Sequence, residues 1–354
     1  MGDSKGTVVP YNRQVYVMTS LSELRQDIVS GEWILVSTGR AQRPHQFAEE
    51  GEQDAKKALV NCPFEDPQKS GNGEPLLWYA LNHDKNKKQK DWFVQVINNK
   101  FPALVPHEKN VCAEHRKSEL YNSVDGIGYH EVIVTRPHDR SFGLMTTDEV
   151  LLAVQAYQAR YIALKKDRCL EYILIFHNHR KSAGASLPHP HSQLIALPII
   201  PPDIRRSFKG SEQFFKTYNS CVHCNLIGWE MEVKKRIVYE NDEFVAIAPY
   251  ASHSTYELRI YPKEHSSEFE SITLTKAKSF ASALVVVLGK LYKSLDNPAY
   301  NFFIHTAPVH TDRAIHYHWH LEIQPKVSIP AGLELGTGID VVVVAPEDVP
   351  EILS

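Results

Sequence analysis

The 354-residue chain lacks the features that mark several large classes of protein. Its 39 Lys and Arg residues stand against 42 Asp and Glu, so there is no basic excess of the kind that nucleic-acid binding needs. It has no apolar run long enough to span a bilayer. Residues 1–10 are polar and lack the apolar core of a signal peptide. The five cysteines are an odd number and suggest no dense disulfide framework. We therefore expect a globular protein of the reducing cytoplasm, with no membrane or nucleic-acid partner.

Two catalytic signatures are also missing. No G-x-x-x-x-G-K-[ST] loop occurs, which excludes a P-loop enzyme. No serine or cysteine elbow occurs, which argues against acyl transfer. Histidine, in contrast, is abundant at 18 residues. Because histidine is the commonest metal ligand and the usual acid–base group near neutral pH, this number favours a metal or catalytic site.

The most informative stretch is a predicted histidine strand at residues 189–193. Residues i, i+2 and i+4 of a strand share one face, so His189, His191 and Gln193 are expected to point the same way. We predict that His189 is a metal ligand, that His191 is a nucleophile toward phosphorus, and that Gln193 donates to a phosphoryl oxygen or to the bridging oxygen as charge develops. The alternative is a histidine-rich surface strand, or a pair of metal ligands, with no chemistry of its own.

A loop of small residues precedes this strand and is predicted to bind phosphate. Its members are Ser182, Ala183, Gly184, Ala185 and Ser186. Small side chains let backbone N–H groups and the Ser186 hydroxyl approach phosphate oxygens closely.

The order cysteine cluster, strand, helix, strand and histidine strand occurs twice. Strands at residues 129–134 and 256–261 are each followed by a helix start, at Thr146 and Thr273. The spacing aligns His189, His191 and Gln193 with His316, His318 and His320. This repetition predicts an α+β fold built by duplication, with one half at residues 1–205 and the other at residues 206–354. Pro201 and Pro202 break the pattern near the boundary.

The second half carries a predicted structural zinc site. Its ligands are Cys221, Cys224, His265 and His318. A C-x-x-C spacing lets two thiolates bind one tetrahedral zinc. His316 and His320 compete with His318 for the fourth place. A C-x-x-C can also be a redox pair, but such a pair usually opens a helix in a thioredoxin-like unit, which the sequence does not show.

The first half has a related but altered cluster. Cys62 and Glu65 take the places of the two cysteines, and His130 and His189 are predicted to complete the site. Zinc accepts carboxylate oxygen as well as sulfur and nitrogen, so such a site is chemically reasonable but weaker. The alternative is that this site no longer binds a metal. We expect a structural role, because the cluster would order the strand that carries His191.

Together these motifs resemble the galactose-1-phosphate uridylyltransferase family of the histidine-triad superfamily. The matching segments are residues 23–27, 31–33, 40–44, 99–104, 129–131, 186–193 and 334–338. The resemblance implies two histidine-triad-like halves that form a mixed, mainly antiparallel sheet with flanking helices, and a homodimer. It also implies a double displacement, a step of galactose metabolism, in which His191 takes UMP from UDP-glucose and passes it to galactose 1-phosphate. The alternatives are an ADP-glucose phosphorylase, a nucleotide hydrolase, or a non-catalytic relative that binds nucleotide or metal.

The resemblance also assigns binding residues. Nucleotide and phosphate would be bound by the 182–186 loop together with Arg40, Arg43, Asn99 and Asn178. The sugar phosphate would be approached by Gly336, Thr337 and Gly338. Glu65 stands where the family usually has its second cysteine, so the first zinc site departs from the family's pattern. The Gly-Thr-Gly loop is shared by several subfamilies, so it does not separate galactose from glucose or uridine from adenine.

Overall fold

A computed structural model describes residues 22–42, 62–81, 88–108, 111–311 and 314–354. Arg43 therefore lies outside the described residues. The strands are β1 (Glu23–Gln26), β2 (Trp33–Val36), β3 (Leu77–Tyr79), β4 (Val94–Asn98), β5 (His115–Lys117), β6 (Asn122–Val124), β7 (Tyr129–Thr135), β8 (Tyr172–His179), β9 (His191–Leu197), β10 (Ile237–Glu240), β11 (Phe244–Ile247), β12 (Leu258–Pro262), β13 (Tyr300–His305), β14 (His320–Pro325) and β15 (Asp340–Val342). The helices are α1 (Thr147–Leu164), α2 (Pro202–Tyr218), α3 (Val222–Val233), α4 (Leu274–Ser294), α5 (Gly332–Thr337) and α6 (Val349–Ile352).

Ten strands form one antiparallel sheet in the order β10-β11-β12-β14-β13-β8-β9-β7-β4-β3. The two halves meet at the centre, where β8 pairs with β13, and the order on one side mirrors the order on the other. The predicted α+β fold with a large antiparallel sheet is confirmed. A parallel pairing lies in a separate sheet, β1-β2-β15, in which β15 runs parallel to β2.

Helices α1 and α4 cover one face of the large sheet. Both begin where the sequence predicted, because Thr146 and Thr273 each accept a hydrogen bond from the backbone N–H three residues on. The Glu149 carboxylate in turn accepts from the Thr146 backbone N–H at 2.8 Å, which completes a capping box. The helices and this sheet face share one apolar core, in which Tyr157 and Phe280 are fully buried.

The opposite face of the sheet carries the histidines. Alternate strand residues point to opposite faces, so Ile133 faces the helices while Val132 and Val134 pack with Cys62 and Phe64 on the other side. In the second half, a matching cluster joins α3 to β11 and β12. The boundary proposed between residues 205 and 206 falls within α2.

Strand register corrects the alignment of the two histidine strands. The ring Nδ1 of His191 bonds the carbonyl of His189, and the ring Nδ1 of His320 bonds the carbonyl of His318. His320 is therefore the counterpart of His191, and the alignment by spacing was wrong by two residues. The alignment by spacing also paired Pro198 with Pro325, but Pro325 is the last residue of β14 whereas Pro198 lies beyond the end of β9.

Cys112 and Cys169 form a disulfide that ties the segment around β5 and β6 to the loop after α1. The sequence did not predict this pair, and disulfides are more usual in oxidising compartments than in the cytoplasm. None of the described helices combines the length and apolar composition that crossing a membrane requires.

Candidate active site

His191 is held as a neutral imidazole, and one of its ring nitrogens has no hydrogen-bond partner among the residues that the structure describes. It is the first residue of β9, it is buried, and its ring packs 5.1 Å from the ring of Phe64. Its Nδ1 lies 2.8 Å from the His189 carbonyl oxygen. A carbonyl only accepts, so Nδ1 carries the proton and Nε2 keeps its lone pair. Burial lowers the pKa of His191 and outweighs the opposing effect of this hydrogen bond. The free Nε2 is therefore available as a nucleophile near neutral pH.

The neighbour Ser192 fixes the strand from the helix side. Its hydroxyl lies 2.6 Å from the Tyr157 hydroxyl of α1 and 3.1 Å from Nδ1 of His177 on β8. All three residues are buried. Because Ser192 and His191 point to opposite faces, this hydrogen-bonded group anchors the start of β9 without entering the face that carries the nucleophile.

Gln193 lies on the same face as His191 and next to Asn99. Its Oε1 is 2.8 Å from Nε2 of His130, and Asn99 Nδ2 is 3.1 Å from the same nitrogen. The backbone N–H of Ala103 donates to Nδ1 of His130 at 3.1 Å. The structure thus brings together Gln193 and Asn99, as the sequence implied, and adds His130 between them.

The small-residue loop is held by an asparagine from the second half. Nδ2 of Asn301 on β13 donates to Asn178 Oδ1 at 2.8 Å and to the Ala183 carbonyl at 2.7 Å. Gly184 has φ of 88°, a left-handed conformation that a side chain would strain. Asn178 Nδ2 lies 3.8 Å from where a Cβ at Gly184 would stand, so this amide nitrogen faces the loop. The sequence analysis missed Asn301, because in the sequence it is only one polar residue within an apolar strand.

The four predicted ligands of the second metal site converge. The ligand atoms of Cys221, Cys224, His265 and His318 all lie within 4.8 Å of one another. Cys224 Sγ is 3.2 Å from His265 Nδ1 and 3.5 Å from His318 Nδ1. A tetrahedral zinc with ordinary bond lengths places sulfur and nitrogen about 3.5 Å apart, so the donor set fits. Nε2 of His318 donates to the Pro262 carbonyl at 3.0 Å, which leaves Nδ1 free to bind a metal.

Two details of this second cluster differ from the sequence analysis. Cys221 caps α3, so the C-x-x-C does open a helix, although the surrounding fold is not thioredoxin-like. The hydrogen bond from Cys224 lowers the pKa of Cys221, which favours one thiolate in the pair. Of the competing histidines, His320 faces His305 and Glu322, and His316 packs against Phe208.

The first metal cluster contains His138, and the prediction of His130 was wrong. Cys62, Glu65, His138 and His189 converge within 4.8 Å. His138 Nδ1 lies 2.7 Å from Glu65 Oε1 and 3.1 Å from His189 Nδ1. His130 lies about 17 Å back along β7 from the strand end where the cluster forms, at about 3.3 Å per residue. The signal was present in the sequence, because His138 follows β7 as His265 follows β12.

This first cluster also has a metal-binding geometry. Cys62 Sγ is 3.5 Å from His189 Nδ1, and Nε2 of His189 donates to the Thr135 carbonyl at 2.6 Å. As at His318, that bond turns Nδ1 toward the cluster. Three of the four ligands predicted for this site are therefore brought together, and the fourth is supplied by a different histidine.

The remaining predicted residues that the structure describes lie elsewhere in the molecule. Arg40 is in a short 3-10 helix, Thr38–Gln42, after β2. Gly336 and Thr337 are in α5, and Gly338 caps it with φ of 72°. These segments flank the small sheet, which packs on Ala251 of the second half. Within the described ranges we find no hydrogen bond or ion pair that joins them to His191, Gln193 or the 182–186 loop.

Known families and proteins resemble this chain in both halves. Residues 14–201 match the family model for the galactose-1-phosphate uridyl transferase N-terminal domain, and residues 230–323 match the HIT domain. An ADP-glucose phosphorylase from Arabidopsis thaliana is 34% identical over 337 residues, 94% of this chain and 92% of the relative. A galactose-1-phosphate uridylyltransferase from Thermotoga maritima is 27% identical over 93% of this chain and 96% of the relative. The crystal structure of an ADP-glucose phosphorylase from Arabidopsis thaliana with bound ADP-glucose has a TM-score of 0.78 at 29% identity, covering 94% of this chain and 98% of that one.

Proposed function

The chain belongs to the galactose-1-phosphate uridylyltransferase family, and from this we propose that it transfers a nucleotidyl group through a covalent intermediate on His191. The observation that carries the proposal is the His191 ring. Its proton is committed to the His189 carbonyl, so Nε2 keeps a lone pair, and the 182–186 loop suited to phosphate ends five residues before His191 in the chain.

The proposed reaction is a hexose-1-phosphate nucleotidyl transfer in two displacements. Nε2 of His191 attacks the α-phosphorus of a nucleoside diphosphate sugar, and the bond to the bridging oxygen breaks. The sugar 1-phosphate leaves with that electron pair. An oxygen of an acceptor phosphate then attacks the same phosphorus, the phosphorus–nitrogen bond breaks, and the neutral imidazole returns. Gln193 donates to a phosphoryl oxygen as charge develops, and residues 182–186 hold the phosphates.

Two pairs of nucleotidyl donor and phosphate acceptor are candidates for the substrates. In the first, UMP moves from UDP-glucose to galactose 1-phosphate. In the second, the enzyme is an ADP-glucose phosphorylase that passes AMP to inorganic phosphate. The higher identity to the Arabidopsis phosphorylase supports this second candidate. A non-catalytic relative is disfavoured, because His191 and Gln193 share one face with their ring and amide groups oriented.

We propose that zinc occupies the second cluster, Cys221, Cys224, His265 and His318, and that a weaker metal site exists at Cys62, Glu65, His138 and His189. The donor types and separations support both. A bound zinc would cross-link the strand ends and so fix the histidine strands. No step of the transfer passes through it. The residues themselves prepare these sites, because the backbone carbonyls of Thr135 and Pro262 orient His189 and His318.

We also propose a homodimer. Arg40 and the 336–338 segment match family positions that bind nucleotide and sugar phosphate, but they flank a different sheet from the one that carries His191. A second copy can bring these segments to the sheet face that carries His191 and Gln193. Sedimentation equilibrium tests the dimer directly.

The decisive experiment offers the protein UDP-glucose or ADP-glucose, each labelled at the α-phosphate, with galactose 1-phosphate or phosphate as acceptor. We expect a labelled protein adduct that is absent in His191→Ala. His115→Ala, which changes an exposed histidine on β5, should label normally. The acceptor that discharges the adduct identifies transferase, phosphorylase or hydrolase. If His191→Ala keeps full turnover, the covalent mechanism is wrong.

A further inference from the structure

His130 was expected to bind a metal, but the structure gives its ring a different set of partners. It lies on β7, where Val132 pairs with Gln193, so His130 is the diagonal neighbour of Gln193 on the same sheet face. Its Nε2 is 2.8 Å from Gln193 Oε1. Its Nδ1 receives the backbone N–H of Ala103 at 3.1 Å.

These two contacts determine where the ring proton lies. A backbone N–H can only donate, so Nδ1 of His130 must accept and carries no proton. The proton of the neutral ring is therefore on Nε2, which donates to Gln193 Oε1. Asn99 Nδ2 also lies 3.1 Å from Nε2, but two N–H donors do not bond to each other. The Asn99 amide is oriented separately, because its Oδ1 accepts from Phe101 N–H at 2.9 Å.

The ring proton in turn orients the Gln193 amide. The oxygen and nitrogen ends of this side chain have nearly the same shape, and only hydrogen bonds distinguish them. Among the residues that the structure describes, His130 is the hydrogen-bond partner of the Gln193 side chain. With Oε1 engaged, the NH2 group remains for an acceptor on the His191 face. The reverse orientation would set a carbonyl dipole against a phosphoryl oxygen.

We propose that His130 is a positioning residue that fixes the Gln193 amide so that its NH2 group faces the phosphoryl group on His191. This inference rests on the proposed nucleotidyl transfer. The turn at residues 99–103 then also helps to orient Gln193, because the Ala103 N–H sets the tautomer of His130 and the same turn carries Asn99. His130 acts through Gln193 and touches neither substrate nor reacting atoms.

Two substitutions of nearly equal size distinguish the role of the Nε2–H donor of His130 from that of the rest of its ring. The terminal amide of Gln reaches the position of the histidine Nε2 and can donate to Gln193, whereas the amide of Asn reaches only the position of Nδ1. We expect His130→Asn to slow formation of the nucleotidyl adduct by at least about 10-fold, and His130→Gln to restore much of the rate. Gln193→Ala removes the donor itself and should cost more, on the order of 10²–10³-fold. The losses should fall on the adduct-forming step rather than on the dissociation constant of the nucleotide sugar.

A double-mutant cycle tests whether His130 works through Gln193. In a Gln193→Ala background, His130→Asn should cause no further loss, because there is no amide left to orient. Additive losses would overturn the proposal. So would equal rates for wild type and a folded His130→Asn, with folding checked by circular dichroism.

The tautomer supplies a readout that does not depend on turnover. In protein labelled with ¹⁵N-histidine, long-range proton–nitrogen spectra should show the His130 proton on Nε2, with the signal assigned by its loss in His130→Gln. A proton on Nδ1 would refute the inference. If the wild type forms no adduct with either nucleotide sugar, the proposed function fails, and the tautomer measurement still decides the orientation of Gln193.

Discussion

Asn301 offers a direct test of how the second half supports the phosphate loop. Its amide Nδ2 is the donor to both Asn178 Oδ1 and the Ala183 carbonyl, and its side chain is buried. Replacing Asn301 by Ala removes both hydrogen bonds and leaves their two acceptor oxygens without this donor. An acceptor left buried without a donor costs about 1–3 kcal/mol. Since Asn178 is only half-buried and can recruit water, we expect a total loss of roughly 2–4 kcal/mol.

Asn301→Ala should also slow the formation of the nucleotidyl adduct. Without Asn301, the Asn178 amide can turn over and the loop can move away from its present position. A misplacement of about 1 Å near a reacting group can slow a reaction by roughly 10²-fold. Asn301→Asp should be worse than Asn301→Ala, because a carboxylate places negative charge against two oxygen acceptors. Urea unfolding measures the first effect and the rate of adduct formation measures the second.

A matched control is available on the surface. Asn122 on β6 is exposed, so Asn122→Ala should change the free energy of unfolding by no more than about 0.5 kcal/mol. If Asn301→Ala behaves like this control in both assays, the two hydrogen bonds do not hold the loop, and the second half does not support the phosphate site through Asn301.

Two further predictions concern the first metal cluster and the small sheet. Glu65→Cys should convert the first cluster into a second Cys2His2 site. The zinc content that remains after chelator treatment should then rise from about one zinc per chain to about two. An unchanged zinc content would contradict the proposal that Glu65 makes the first site the weaker one. Burial lowers the pKa of His253, but the hydrogen bond to Asp340 is the largest of the effects that outweigh it and raise the pKa to about 9. The stabilisation is therefore complete below the ordinary histidine pKa near 6.5 and is lost as the pH rises through about 9. Hydrogen exchange in β15, corrected for its intrinsic pH dependence, should quicken over that interval, and Asp340→Asn should remove most of the change. A pH-independent β15 in the wild type would count against the ion pair.

The sequence predicted the fold well because the duplication repeats its local signals. Each half supplies a capped helix, an alternating strand and a histidine strand, and two copies of the same order rarely arise by chance. The face shared by His191 and Gln193 followed from the two-residue period of a strand, and the structure keeps both on one side of the sheet.

The errors in the predicted site residues arose because the two-residue period of a strand gives the face on which a side chain lies but not its position along the strand. His130 has the correct parity to face the cluster, but it lies near the opposite end of β7 from Cys62 and His189, whereas His138 lies just beyond the near end. Asn301 could not be found for a related reason. Its role depends on which strand of one half lies beside which strand of the other, and that pairing appears only in the assembled sheet.

The central pairing of β8 with β13 also limits how the molecule can be divided. A fragment that ended after β9 would leave β8 with one unpaired side, an exposed edge of eight residues open to association with other chains. Among the residues that the structure describes, the outermost strands of the sheet are β3 and β10, which have only three and four residues. Short edges of this kind offer little template for aggregation. The duplication thus places its longest strand in the interior, and each half protects the other from self-association.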